Sequence, residues 1–408
     1  MACILKIPTQ NSKGILTFTT PEWRHISSNK NLLDLLGSLR SFWVTGLHFN
    51  WHDYQFKPLS QFDFFMAGEQ DLRPVDQSPY RLLPMDACNF TPASYRPAPT
   101  REKFWDVLIV GNPVFFKRPE VVLQTIRKLF DTVGYALRVL YVCPLPKYKF
   151  SNEDSVLYDV RAYYESLFTA EERASFTLLT TDFDSPNPFD RNTLSVFFRN
   201  SKVFLHCATE ERRCRIAAYA WCAGLPVVAY PAVASILPES LRTVPGYFSV
   251  NSDDQYVPQL IAAIRAAPDF DPALYQFELS ESCTVQKLEA ELQSIFQELG
   301  LPYEGTLIGQ NLDRRLGWHH EALGGLANGV RQPLNAFMRA ALGLRASQGA
   351  DMQAMLAHAY PEKVLANELD DITRPLLQTV VQKSIYLNPR KKFWFRAFGA
   401  LKSKTGLG

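Results

Sequence analysis

Between Trp105 and Tyr230 the chain alternates short, unbroken apolar runs with stretches of helical period. The runs WDVLIVG (Trp105 to Gly111), LRVLYVCPLP, SFTLLTT, KVFLHCA and LPVVAY place Val, Leu and Ile side by side, the pattern of strands buried on both faces. Helical stretches separate them: about Pro119 to Phe130, with Pro at the first helical position and Glu120 beside it, then Ser155 to Leu167, TLSVFFRNS, and about Arg213 to Cys222. Repeated β and α of this kind predict a parallel, doubly wound sheet with helices on both faces, here assigned to residues 102–270.

The flanks read differently. Residues 1–85 are rich in aromatics, with one amphipathic helix from Asn31 to Trp43 and strand-length runs in SFWVTGLHF and QFDFFMAG, as in a small α/β layer. The string LPMDACNFTPASYRPAPTR carries four prolines and little periodicity, and reads as a linker over 86–101. After Pro268 the strands stop. Residues 278–300 form a helix ended by Gly300, and helical segments continue to about residue 387 within an extension over 271–408.

With 408 residues the chain has room for two to three domains of ~150 residues. Its 43 basic and 41 acidic side chains leave a net charge of +2, so no global field marks a nucleic-acid binder. The charge is uneven, however: residues after Asp371 carry +8 and those before them −6. Seven scattered cysteines without CxxC spacing argue against a disulfide framework and a zinc site, and point to a reducing cytosol. No apolar run approaches the ~18 residues of a membrane span, and the N-terminus lacks a signal peptide's apolar stretch.

In an open α/β sheet, ligands sit beyond the carboxyl ends of the strands, where loops enter helices whose first amides are unsatisfied. Two such loops carry polar residues, GNPVFFKRPE and ATEERRCR. The second lies in SKVFLHCATEERRCRIAAYAWCAGLPVVAY, which resembles the nucleotide-sugar-binding segment of GT-B glycosyltransferases, especially retaining family 4. In that family a strand leads into a Glu-x7-Glu motif and a helix closed by a Gly-x-Pro-Val-Val turn. FWDVLIVGNPVFFKRPEVVLQTIRKL looks like the opening strand, phosphate loop and helix of the same domain, and LLPMDACNFTPASY like the preceding linker, so the resemblance covers residues 83–270. It implies an α/β, GT-B-like fold: two Rossmann-like domains with a parallel sheet in the C-terminal one, a short N-terminal domain and a helical C-terminal extension.

The resemblance also implies roles. Glu211 takes the place of the first motif Glu, against the donor's sugar hydroxyls, with Glu210 as second choice. The second Glu, which binds ribose in the family, is replaced by Tyr219. The Arg/Lys pair gripping the diphosphate falls on Asn112 and Lys117, so only the Lys is kept; Gly111 and Thr209 complete the donor loops. Read from the residues themselves, Lys117 is equally a solvated loop lysine, Glu211 a carboxylate satisfying a helix dipole, and Tyr219 a core aromatic.

Arg212, Arg213 and Arg215 stand near a helix N-terminus whose dipole they oppose, so they either pair with Glu210 and Glu211 or hold an anion such as a diphosphate or an acidic sugar's carboxylate. His48 and His52, with Asp53, follow an N-terminal strand where relatives often carry a histidine near the sugar. His319 and His320 read as helix-surface residues; no His/Asp/Glu cluster has metal spacing, and no metal or other cofactor is expected.

Two functions of different class follow. One is a retaining, metal-independent glycosyltransferase passing a sugar from a nucleotide-diphosphate donor to a glycan or lipid-linked acceptor, in the cytoplasm or on the inner membrane face. The other is a catalytically inactive glycan- or nucleotide-binding scaffold of the same fold. The tail LNPRKKFWFRAFGALKSK interleaves Phe393, Trp394, Phe395 and Phe398 with cations, which suits anionic lipid headgroups or, alternatively, docking on the core.

Overall fold

The computed structural model describes residues 3–49, 59–67, 81–97, 102–144, 159–180, 191–211, 213–309, 311–316 and 334–343. The chain builds two sheets, each part of an α/β layer structure. The first contains β1 (Cys3–Lys6), β2 (Gly14–Thr19), β3 (Trp43–His48), β4 (Phe64–Met66) and β5 (Leu82–Leu83), in that spatial order. β1 runs antiparallel to β2, and all the other neighbours are parallel.

One face of this sheet packs Leu16, Phe18, Leu47 and Phe65 against α1 (Thr20–Ser27) and α2 (Lys30–Leu39). The Asn29 side chain starts α2 by accepting from the amides of Asn31 and Leu32. The helix is shorter than its apolar pattern predicts, because Trp43 begins β3 and is buried there.

The second sheet contains β6 (Trp105–Val110), β7 (Val139–Cys143), β8 (Phe176–Thr180), β9 (Ser201–His206), β10 (Val227–Ala229) and β11 (Tyr247–Ser249). Every pairing is parallel, and across the sheet the strands run β8, β7, β6, β9, β10, β11. This is the doubly wound order, in which the winding reverses between the first and fourth strands. Here those strands are β6 and β9.

Both faces of the second sheet are covered. Leu108, Val110, Leu140 and Val142 face α5 (Arg191–Arg199) and α6 (Arg215–Cys222). The alternate residues Val107, Ile109, Val139 and Tyr141 face α3 (Pro119–Val133), α4 (Val160–Leu167) and α7 (Tyr256–Ala266). All seven cysteines are free.

Leu83 to Pro97 runs between the sheets through two short 3-10 turns, with Phe90 and Tyr95 buried. Beyond α8 (Ala273–Leu279) the chain turns at Ser280 into α9 (Glu281–Glu298), which returns to the first sheet. Leu288, Leu292, Ile295 and Phe296 cover its remaining face over Ile15, Val44, Phe64 and Met66. Two further helices, α10 (Leu312–Arg315) and α11 (Leu334–Gly343), lie beyond it. The Ile308 amide donates to the Leu5 carbonyl at 2.7 Å, and Lys6, itself buried, reaches the Glu304 carbonyl at 2.6 Å.

Candidate functional site

Where the winding of a doubly wound sheet reverses, the two adjacent strands send their loops apart and leave a crevice at their carboxyl ends. β6 continues through Gly111 and Asn112, both half-buried, into a 3-10 turn over Phe115–Lys117. Arg118 then adopts a left-handed conformation, with φ of +53°, and α3 begins at Pro119. β9 ends at His206, and its loop reaches α6 through Arg213, also left-handed at φ of +51°.

The two loops meet. Lys117 Nζ donates to Glu211 Oε2, with only 15% and 14% of the two side chains exposed, so solvent screens this ion pair weakly. His206 Nε2 faces the same oxygen at 2.5 Å. Burial opposes charge on both Glu211 and His206. Lys117 and His206 nevertheless hold the Glu211 carboxyl well below the usual range, and Cys214 and Glu211 push the His206 imidazole up to about 9. The carboxylate thus faces two cations. Thr209 is half-buried and Glu210 exposed at the outer rim of the same loop.

Arg213 turns away from this group and crosses to the first sheet. Its guanidinium sits 3.1 Å from Asp86, each side chain 5% exposed, and donates to the Phe49 carbonyl at 2.9 Å. The expected pairing of the arginines with Glu210 and Glu211 is therefore not what the structure holds for Arg213. Its carboxylate comes from the segment after β5, because the left-handed turn at 213 aims the side chain across the cleft. Burial opposes the charge of half-buried Arg215, but Tyr219, Cys88, Asp313 and Asp86 around it keep its pKa above the ordinary value.

His48 ends β3 on the far side of the cleft and is buried. Burial, against the field of Asp86 and with that of Arg213, lowers its pKa to about 3, so it is a neutral imidazole. Its Nε2 has no hydrogen-bond partner among the described residues. His48 thus stands at the carboxyl end of β3, and Lys117 and Glu211 lie beyond the carboxyl ends of β6 and β9. His52, Asp53, Arg212, His319, His320 and the basic tail lie outside the described residues.

Tyr219 lies in α6 with its hydroxyl donating to Asp313 at 3.0 Å and its ring stacked on Tyr95, centroids 4.1 Å apart. Asp313 is also paired with Arg191 at 2.7 Å. Sequence reading passed over four residues that this geometry uses: Asp86, His206, Cys214 and Asp313. His206 carried a signal, since it occupies the end of a strand flanking the crevice. Asp86 and Asp313 carried none, because their partners are distant in the chain.

No family model matches the chain, and no curated protein matches it. Among solved structures it is similar to the pneumococcal O-GlcNAc transferase GtfA in complex with UDP and GlcNAc, at 12% identity and a TM-score of 0.45 over 67% of this chain and 55% of that one. It is similar to TarM at 10% identity and a TM-score of 0.48, over 69% and 54%. A third is WaaG, a glycosyltransferase involved in lipopolysaccharide biosynthesis, at 13% identity and a TM-score of 0.39, over 72% and 76%. The chain spans about half the length of the first two. Likenesses of this degree assign no activity.

Proposed function

We propose that the protein is a glycosyltransferase that moves a sugar, with retention, from a nucleoside-diphosphate donor to a glycan or lipid-linked glycan. The observation that supports this reading is the meeting of Lys117 and Glu211 where the winding of the second sheet reverses. As the glycosidic bond breaks, negative charge grows on the leaving diphosphate, and a positive charge already aimed at it lowers the barrier. Lys117, beside the start of α3, supplies that charge by exchanging the Glu211 carboxylate for a phosphate oxygen. His206 then keeps Glu211 ionised, and its free acceptor positions take hydroxyls of the donor sugar. His48, neutral on the opposite wall, faces the acceptor side. Side chains, rather than a metal, meet the diphosphate in this reading.

The proposal extends to the cytoplasm as the place of reaction and to reversible attachment of residues 389–408 to anionic lipid. No described helix is long and apolar enough to cross a membrane. A panel of UDP-, GDP-, dTDP- and CMP-sugars tests the reaction. One donor is hydrolysed or transferred, Lys117→Ala weakens its binding ten- to hundredfold, and Glu211→Gln abolishes turnover while nucleotide binding persists. NMR of the product gives the anomeric outcome. Binding without turnover for every donor supports the inactive scaffold instead, which the locking of Tyr219 against Asp313 favours. Neither binding nor turnover ends both readings.

A further inference from the structure

His206, Glu211 and Cys214 bring a ring nitrogen, a carboxylate oxygen and a thiol sulfur within 4.8 Å of one another. His206 and Cys214 are 3% and 0% exposed, and the Cys214 sulfur lies 3.8 Å from His206 Nε2. One short stretch delivers all three: the last residue of β9, its loop, and the residue before α6. The thiol is not consumed by that helix, since the Cys214 side chain makes no capping bond.

We propose that His206, Glu211 and Cys214 form a binding site for a divalent cation of the zinc class, with three protein ligands and a fourth position open toward the cleft. The chemistry selects this class. Nitrogen, carboxylate and thiolate together form a donor set of borderline softness, whereas magnesium and calcium require mostly oxygen. Zinc bonds of ~2.0 Å to N and O and ~2.3 Å to S place tetrahedral ligands about 3.3 to 3.6 Å apart. The nitrogen-to-sulfur distance here is 3.8 Å and the nitrogen-to-oxygen distance 2.5 Å, so a modest opening at Glu211, which sits on a loop, completes the geometry.

The Lys117 ammonium occupies Glu211 Oε2 and competes directly with the metal. If the transfer reaction proposed above is correct, metal at this site removes the carboxylate from the donor sugar, so zinc inhibits transfer where magnesium does not. The inhibition rests on that reading, but the binding does not.

Titration of the full chain with Co2+ tests the site without nucleotide or sugar. One equivalent produces a saturable thiolate-to-cobalt charge-transfer band and tetrahedral visible bands, which Zn2+ displaces. Cys214→Ser removes the charge-transfer band, His206→Gln weakens binding at least tenfold, and Cys283→Ser changes neither. Lys117→Ala tightens binding, because the competing cation is gone; this variant decides the matter even if Cys214→Ser does not fold. Absence of a saturable band, its survival in Cys214→Ser, or weaker binding in Lys117→Ala overturns the proposal. Loss of cobalt binding leaves the transferase reading intact, and failure to transfer any sugar leaves the metal site intact.

Discussion

The bridge from Arg213 to Asp86 is the contact whose removal should cost the cleft most. The guanidinium and carboxylate are 3.1 Å apart and both 5% exposed, so neither charge regains water when its partner goes. Arg213→Met keeps much of the volume but strands Asp86 and the Phe49 carbonyl, and breaking a buried pair from one side costs ~3 to 5 kcal/mol. Asp86→Asn should cost less, about 1 to 3 kcal/mol, because the amide oxygen still accepts from the Cys88 amide and Arg213 keeps Phe49. If the charges act on each other, the double variant loses less than the sum, with a coupling of ~1 to 3 kcal/mol. Arg213→Gly adds a check. It relieves the left-handed backbone that Arg213→Ala retains, and should be about 1 kcal/mol more stable than Arg213→Ala. Urea denaturation of these variants, followed by tryptophan fluorescence and circular dichroism, measures the cycle. Additivity within ~0.5 kcal/mol would refute a coupled bridge.

Three further expectations follow. His48 has a folded pKa of about 3, below ~6.5 for an unfolded histidine, so the unfolded chain takes up the extra proton. Its contribution to stability therefore falls as pH drops below ~6.5, by about 2 kcal/mol from pH 7 to pH 5 with Asp86 and Arg213 facing it, and His48→Leu should flatten that slope. An unchanged pH profile counts against a buried neutral imidazole. Tyr219→Phe deletes the hydrogen bond to Asp313 and should cost ~1 to 2 kcal/mol; an unmoved melting midpoint would mean that the hydroxyl contributes nothing. Gly46→Ala places a methyl 2.3 Å from the Phe64 ring, an overpacking of ~1 to 3 kcal/mol, which Phe64→Leu in the same chain should partly restore. No recovery would locate the damage elsewhere.

The second sheet was legible because its strands are buried on both faces, and sequence alone reports such burial as unbroken apolar runs in WDVLIV and KVFLH. β1 and β2 were not foreseen: CILK ends in a lysine whose burial depends on a carbonyl far along the chain. β11 is three half-buried residues whose strand character comes from pairing with β10. The single helix expected over 278–300 divides at Ser280, whose amide bonds back to Gln276 and whose neighbour Glu281 donates its amide to the Thr91 carbonyl. At the site, the loops of Lys117 and Glu211 could be picked out because each follows a strand end, and the two residues within them because they match positions of the family motif. Tyr219 was visible as a departure from a motif, but its partner Asp313 depends on tertiary folding. His206, Glu211 and Cys214 fall within nine residues of sequence, but their convergence depends on the left-handed turn at Arg213, which no spacing reports.

The return of α9 to the first sheet has a consequence for biosynthesis. The strands of that sheet leave the ribosome before those of the second, yet Lys6 waits for a carbonyl 298 positions later. Until α9 has been made, Ile15, Val44, Phe64 and Met66 have no helix to cover them. The second sheet, complete by Ser249, can close on its own helices in the meantime. Vectorial synthesis therefore inverts the order of maturation between the two sheets: the one translated earlier is completed later, and its uncovered apolar face is the surface a nascent-chain chaperone would have to shield during elongation.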